Sequence, residues 1–186
     1  MNSPEFDTGK AAVAALLDMM GEDRSRDGLV DTPARVTRAL LEMTAGYKED
    51  PEQILSTTFQ VTYNQIVLLK GIQFVSLCEH HLLPFQGIAH VGYVPGERVV
   101  GLSKMARLVT CYARRLQVQE RLTNEIAEAM QLHLKPKGVG VIVEAHHSCM
   151  GCRGVRQPTS KMVTSAMLGS MYEARCRAEF LELIGL

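Results

Sequence analysis

Two short Cys/His clusters constrain the fold of this chain more than any other feature: Cys78-Glu79-His80-His81 and His146-His147-Ser148-Cys149. If both serve one metal ion, the fold must carry two segments far apart in the chain to the same point. In the first cluster a thiolate and an imidazole stand three residues apart, so in a turn Cys78 and His81 point at one ion while His80 points elsewhere. The second cluster continues a predicted strand, where side chains alternate between faces, so His147 and Cys149 share a face and His146 does not. Two thiolates and one imidazole suit zinc. Three protein ligands, Cys78, His81 and Cys149, leave the fourth tetrahedral position of a Zn2+ ion to water, and an open position means chemistry. Spacing leaves two alternatives open. Cys149-Met150-Gly151-Cys152 is a CxxC, so Cys152 would close a structural site of three cysteines and one histidine; or the cysteines are simply buried apolar residues.

The chain has five cysteines, an odd number, and three lie within a few residues of a histidine or of one another. That suits metal ligation in a reducing compartment better than a disulfide framework. Cys111 and Cys176, in helical segments without a nearby histidine, read as packing residues. The 20 basic and 20 acidic residues balance to a formal net charge of zero. No global field would therefore draw the chain to nucleic acid or to an anionic membrane, and any anion site must be local. The N-terminus lacks the pattern of a signal peptide and the apolar run 11–17 is too short to span a bilayer, so the expected location is cytoplasmic.

Val13, Leu16, Leu17 and Met20 recur at helical spacing and predict a first helix running to Gly21. A second is predicted from Thr32, as a hydroxyl N-cap before Pro33, to near Gly46. From about Ile66 the texture changes: residues 66–77, 86–94, 98–102 and 138–145 are rich in Val and Ile and punctuated by Gly and Pro, as strands require. Between them, Met105, Leu108, Val109, Tyr112 and Leu116 form the apolar stripe of one helix, and a second runs from about Gln119 to Leu134, stopping before Pro136. After 145 the pattern is mixed. This order reads as α+β, a mainly antiparallel sheet backed by helices, in one domain with an N-terminal extension.

Gly101-Leu102-Ser103-Lys104 joins a strand to a helix with Ser103 placed as N-cap, so free N–H groups would face an anion there. Lys104, Arg107 and Arg153 are cations that could converge on a polyphosphate, although a solvated basic face is the commoner arrangement. Glu120, at a helix start, is either a favourable dipole partner or a carboxylate that accepts two parallel N–H bonds, the pair guanine presents. Spacing does not choose. His90 and His133 carry no assignment.

Four stretches together, Cys-Glu-His-His-Leu-Leu-Pro-Phe at 78–85, Gly-Leu-Ser-Lys at 101–104, Arg-Arg-Leu-Gln-Val-Gln-Glu-Arg-Leu-Thr at 114–123 and His-Ser-Cys-Met at 147–150, closely resemble GTP cyclohydrolase I. The likeness runs from the Asp-Thr-Pro-Ala-Arg helix start at Asp31 to the Thr159-Ser160 region. It implies the tunnelling fold, with residues 1–60 a helical extension and 61–186 the catalytic domain. It further implies a homodecamer of two stacked pentameric rings with active sites at subunit interfaces, and conversion of GTP and water to 7,8-dihydroneopterin triphosphate and formate, the entry to pterin and tetrahydrofolate synthesis. By motif position the resemblance makes Cys78, His81 and Cys149 the zinc ligands and His80 and His147 the catalytic imidazoles. Gln119 and Glu120 become the guanine-reading pair, and Ser103, Lys104, Arg107 and Arg153 the triphosphate contacts. Cys152 falls where that family tolerates various residues. Two competing readings are a tunnelling-fold nitrile reductase of queuosine synthesis, which works without catalytic zinc, and a structural-zinc module that binds phosphates.

Overall fold

A computed structural model describes residues 3–185, and the Val/Ile-rich stretches are strands in it. The described chain divides into two compact units, one through Ala45 and one from Gly46 onward. The first holds helices α1 (Pro4–Met19) and α2 (Thr32–Met43). The start of α1 is earlier than the apolar stripe suggests because Ser3 caps it, its hydroxyl accepting from the Phe6 N–H, with Pro4 at the first helical position. Only Val13 and Leu17 of the predicted stripe are buried; Leu16 and Met20 are exposed. The N-cap of α2 is Asp31 rather than Thr32, and no side chain bonds to that helix end.

In the second unit a short helix α3 (Pro51–Leu55) precedes strand β1 (Thr58–Gln60), then β2 (Val67–Cys78), β3 (Pro84–Val94) and β4 (Arg98–Val100). Helix α4 (Leu102–Ala113), strand β5 (Leu116–Gln117) and helix α5 (Gln119–Leu134) follow, and the chain closes with β6 (Gly138–His147), the turn-like α6 (Ser148–Gly151), β7 (Met162–Gly169) and α7 (Ala174–Ile184). The main sheet has the order β5-β2-β3-β6-β7, antiparallel except for the short parallel β5, while β1 and β4 form a separate ribbon. The fold class is thus α+β, as the sequence order predicts.

One face of the sheet, through Phe74, Val91, Tyr93 and Val141, packs on Met105, Leu108 and Val109 of α4 and on Leu122, Ile126 and Met130 of α5. The α4 stripe is as predicted except at Leu116. The helix stops at Ala113, and Leu116 pairs instead with Leu77 in β5. On the other face α7 buries Phe180 against Gly92 and Gly140, where a Cβ would lie 2.8 and 3.1 Å from the ring. The mixed C-terminal stretch is therefore a fifth strand and a covering helix.

The central strand positions everything that follows. Pro84 pairs with Leu77 on one side, and Phe85 pairs with His147 on the other. The ends of β2 and β6 that carry the two Cys/His clusters therefore meet at the same end of β3. Gly87 holds β3 close to β6: a Cβ there would lie 1.9 Å from the Glu144 carbonyl oxygen and 2.6 Å from the Ala145 Cα. Neither atom can yield without moving the strand. Gly87→Ala is expected to lower stability by about 1–3 kcal/mol or more, the cost of overpacking a closed site. Urea unfolding checks this, and a midpoint equal to that of the parent chain would mean that the two strands do not approach so closely.

Candidate metal centre and its surroundings

Cys78 is the last residue of β2 and is buried; its N–H donates to the Leu83 carbonyl while its own carbonyl accepts from Leu82. Leu82 takes the left-handed conformation (φ 53°), and the turn it closes brings Leu83 back to pair with Cys78. The Cys78 Sγ and the His81 Nδ1 stand 3.9 Å apart. Cys149 reaches the same point from α6, directly after β6. One ligand atom from each of Cys78, His81 and Cys149 lies within 4.8 Å of the others. A tetrahedral ion with bonds of about 2.3 Å to sulfur and 2.0–2.1 Å to nitrogen needs ligand edges of about 3.5–3.8 Å. A small inward movement closes the trio on such an ion. Burial, then the neighbouring Cys78 sulfur, raises the Cys149 thiol above the ordinary cysteine value, while Arg153 draws it down. A divalent cation between the sulfurs is the charge that favours both thiolates. Cys152, exposed, lies outside this group.

The two neighbouring histidines differ in what holds them. His80 does not turn away from the cluster: its Nδ1 is also 3.9 Å from the Cys78 Sγ, and its ring is edge-on to His81 at 6.3 Å. His147 stacks on its cross-strand partner Phe85, with ring centroids 4.6 Å apart and planes 7° from parallel. Its Nε2 is 2.9 Å from the Gln119 Oε1. Burial holds its imidazole below the usual value, and the carboxylate of Glu120 opposes that shift. His146 sits on the other face of β6, with its Nδ1 3.1 Å from the Ser160 carbonyl. Alternation therefore separates His147 from His146. It does not explain Cys149, because the strand ends at His147 and Cys149 belongs to a helical turn.

Helix α5 starts beside this cluster, with Gln119 buried and Glu120 exposed in its first turn. Arg153 follows Cys152, the C-cap of the α6 turn that carries Cys149. The remaining cations lie elsewhere. Ser103, Lys104 and Arg107 occupy the start of α4, whose far end, Ala113, leads into β5 beside Cys78. From Ser103 to Ala113 the helix rises about 15 Å at 1.5 Å per residue. Lys104 and Arg107 line a surface cavity with Lys48, Asp50 and Gln53, and no ligand of the metal trio borders it. Ser103 is not the N-cap: Gly101 is, and it offers no side chain.

Sequence reasoning missed one support. Arg121 pairs with Glu79 inside the first Cys/His cluster, and it also donates to the Gln117 Oε1 and the Leu116 carbonyl, at 3.0 Å each. The Glu79 N–H donates to the Gln117 carbonyl at 3.0 Å. The metal-bearing turn is thus tied to α5 and β5, and Arg121, by its hydrogen bond and its charge, holds the Glu79 carboxyl below the usual range. Arg121 was visible in the sequence only as part of a motif. Its partner Glu79 lies between Cys78 and His81 in the sequence.

A profile of the GTP cyclohydrolase I family matches residues 9–185. The chain is 54% identical over 176 residues to a GTP cyclohydrolase 1 of Thermobifida fusca, covering 93% of this chain and 85% of that one. It is 51% identical over 201 residues to one of Mycobacteroides abscessus, covering 99% and 98%. Among solved structures, the apo crystal structure of an archaeosine synthase QueF-Like aligns with a TM-score of 0.47 at 20% identity, covering 56% of this chain and 94% of that chain. With a family match over nearly its whole length and identities of about one half, the chain belongs to the GTP cyclohydrolase I family and has that family's tunnelling fold.

Proposed function

We propose that the protein is a zinc-dependent GTP cyclohydrolase I, converting GTP and water to 7,8-dihydroneopterin triphosphate and formate as the first step of pterin and tetrahydrofolate synthesis. The observation that carries this reading is the convergence of Cys78, His81 and Cys149 within 4.8 Å, in a chain of this family, with His147 and Glu120 beside them. A zinc ion held by the trio would supply Lewis acidity and an activated water for hydrolysis at C8 of guanine. The protein's own residues do the rest. His147, stacked on Phe85, carries a proton to and from the imidazole half of guanine, which makes C8 electrophilic. His80, close to Cys78 but outside the ligand trio, serves the ribose protons in the later rearrangement. Glu120, exposed at the start of α5, accepts the ring N–H and the exocyclic amine of guanine. Gln119, the other member of the pair that the family motif assigns to guanine, is buried, with its side-chain amide bonded to the sheet.

Ser103, Lys104, Arg107 and Arg153 hold the triphosphate. The first three stand at the end of α4 remote from Cys78, which supports a site completed by a second copy of the chain. The corresponding assembly is a homodecamer of two stacked pentameric rings, with the base, the metal and Arg153 on one subunit and Ser103, Lys104 and Arg107 supplied by another. The free thiols of Cys78 and Cys149 support a reducing, cytoplasmic location.

Zinc analysis under anaerobic conditions, combined with product identification from GTP without added reductant, tests metal, substrate and reaction together. A fluorescent pterin after oxidation is the expected product; its absence, or a need for a nicotinamide reductant, defeats the reading. Within that assay, His147→Ala is expected to abolish pterin formation while zinc content and GTP affinity stay near the parent values. Loss of zinc in that variant would mean that His147 is a ligand. Cys152→Ser should keep zinc and activity, whereas Cys149→Ser should lose both; zinc lost from Cys152→Ser would restore the closed four-ligand site. Removing the Arg121 guanidinium should loosen the Glu79 turn, so Arg121→Ala is expected to weaken zinc binding by about 10–100-fold, the usual cost of losing a group that orients a ligand. Competition with a chromogenic chelator measures it, and an unchanged affinity would mean that the ion pair does not hold the turn.

A further inference from the structure

Gln119 is a buried polar side chain, 1% exposed, at the start of a helix where a glutamine usually faces water. We infer that Gln119 is a positioning residue for His147: its carboxamide, locked by the sheet, holds the neutral imidazole with its hydrogen on Nε2 and leaves Nδ1 as the nitrogen that exchanges a proton with substrate. The inference rests on His147 being the proton carrier of the proposed reaction.

The orientation of the amide is fixed by groups that can only accept. The Gln119 Nε2 lies 3.0 Å from the Val143 carbonyl and 3.0 Å from the Met162 carbonyl, on β6 and β7. Turning the amide over would set its oxygen against both carbonyl oxygens and lose both bonds. The hydroxyls agree with this direction. Thr123 Oγ1 donates to the Gln119 carbonyl at 2.7 Å, so at its 2.7 Å contact with Thr164 Oγ1 the threonine at 164 must be the donor. That leaves Thr164 a lone pair toward the Gln119 Nε2 at 3.1 Å, where it shares one of the two amide hydrogens with a carbonyl. Hydrogen bonds therefore run one way around a closed loop, from the Gln119 amide through Thr164 and Thr123 to the Gln119 backbone.

With the amide so held, Oε1 is the atom that faces the His147 Nε2 at 2.9 Å. An amide oxygen has no hydrogen to give, so Nε2 supplies it. A neutral imidazole has one N–H, and Nδ1 is then the free lone pair. Phe85 fixes the plane of the ring by stacking, and Gln119 fixes its rotation within that plane. The same bonds leave the Gln119 side chain no hydrogen for a base, because its NH2 is directed at the sheet. In this assignment Glu120 reads the guanine edge through its side chain, and the Gln119 side chain acts through His147.

The test is a long-range proton–nitrogen correlation spectrum of the zinc-loaded protein labelled with 15N-histidine, with the His147 signals identified by their absence in His147→Ala. The expected pattern has the protonated nitrogen coupled to both ring carbon-bound protons, which marks Nε2. A protonated Nδ1 overturns the proposal, and this measurement needs no Gln119 variant. Gln119→Met, similar in size without the amide, is expected to redistribute the proton between the two nitrogens and to lower kcat by about 100-fold, within the range of a misplaced acid–base group. KM and Kd for GTP should stay within about twofold, because uniform binding is untouched. Thr164→Val keeps both carbonyl partners and should preserve the tautomer and kcat. A raised KM with kcat intact in Gln119→Met would make Gln119 a base reader and overturn the assignment. Failure of the parent enzyme to form a pterin would instead remove the functional reading and leave the tautomer standing, so the two failures are distinguishable.

Discussion

Pairing of β3 with two neighbours at once is the constraint on which the site depends. Its Pro84–Phe85 end contacts Leu77 and Ser76 of β2 and His147 of β6, so a single strand sets the distance between the two Cys/His clusters. Because side chains alternate along a strand, a slip of one residue on either side would send His147 away from Phe85 and carry Cys149 with it. The register is held by backbone proximity at Gly87 and by the apolar alternation of Ala89, Val91 and Tyr93 into the helix-covered face. Tyr93 adds a tie to β4, accepting the Val100 N–H on its hydroxyl at 3.0 Å. Core packing and site geometry are therefore one problem in this chain: the residues that bury the sheet also place the ligands.

Much of this is legible in the sequence, for identifiable reasons. Helix α5 is found between its observed ends because its apolar period runs unbroken through Leu122, Ile126 and Met130 and because Pro136 cannot continue it. The metal trio is legible because thiolate and imidazole are scarce, and their spacing allows few geometries. Leu116 is misread because a periodicity cannot register a competing partner: its backbone is claimed by Leu77, far upstream. Strand β7 escapes because it lies at the sheet edge, where only Ala166 is buried and Val163 is exposed, so the alternation that marks a strand is weak. The Ser103 cap fails for a local reason. Gly101 already has the extended conformation (φ −59°, ψ 133°) that an N-cap requires, and the helix begins two residues too early for the hydroxyl.

The roles of Gln119 and Arg121 were the least legible, because both depend on partners from other elements. A polar residue in a first helical turn is compatible with solvent, and its burial is decided by Val143, Met162 and Thr164 on two strands. Burying an amide is unfavourable unless each of its groups finds a partner. Around Gln119 each one does: the NH2 on two carbonyls and a hydroxyl, the oxygen on His147, and the backbone carbonyl on Thr123. Among the described residues, the buried side-chain atoms without a partner are His90 Nδ1, Gln131 Oε1, Ser170 Oγ and Arg177 Nε, and none belongs to this network or to the metal trio. Polar satisfaction is thus complete where β6 and β7 meet the start of α5. Bonding to the sheet alone calls only for a donor there, to the Val143 and Met162 carbonyls. What a donor alone cannot do is present an acceptor to one nitrogen of an imidazole at a fixed angle, and that requirement accounts for a fully bonded amide in the interior, beside the pair of thiols.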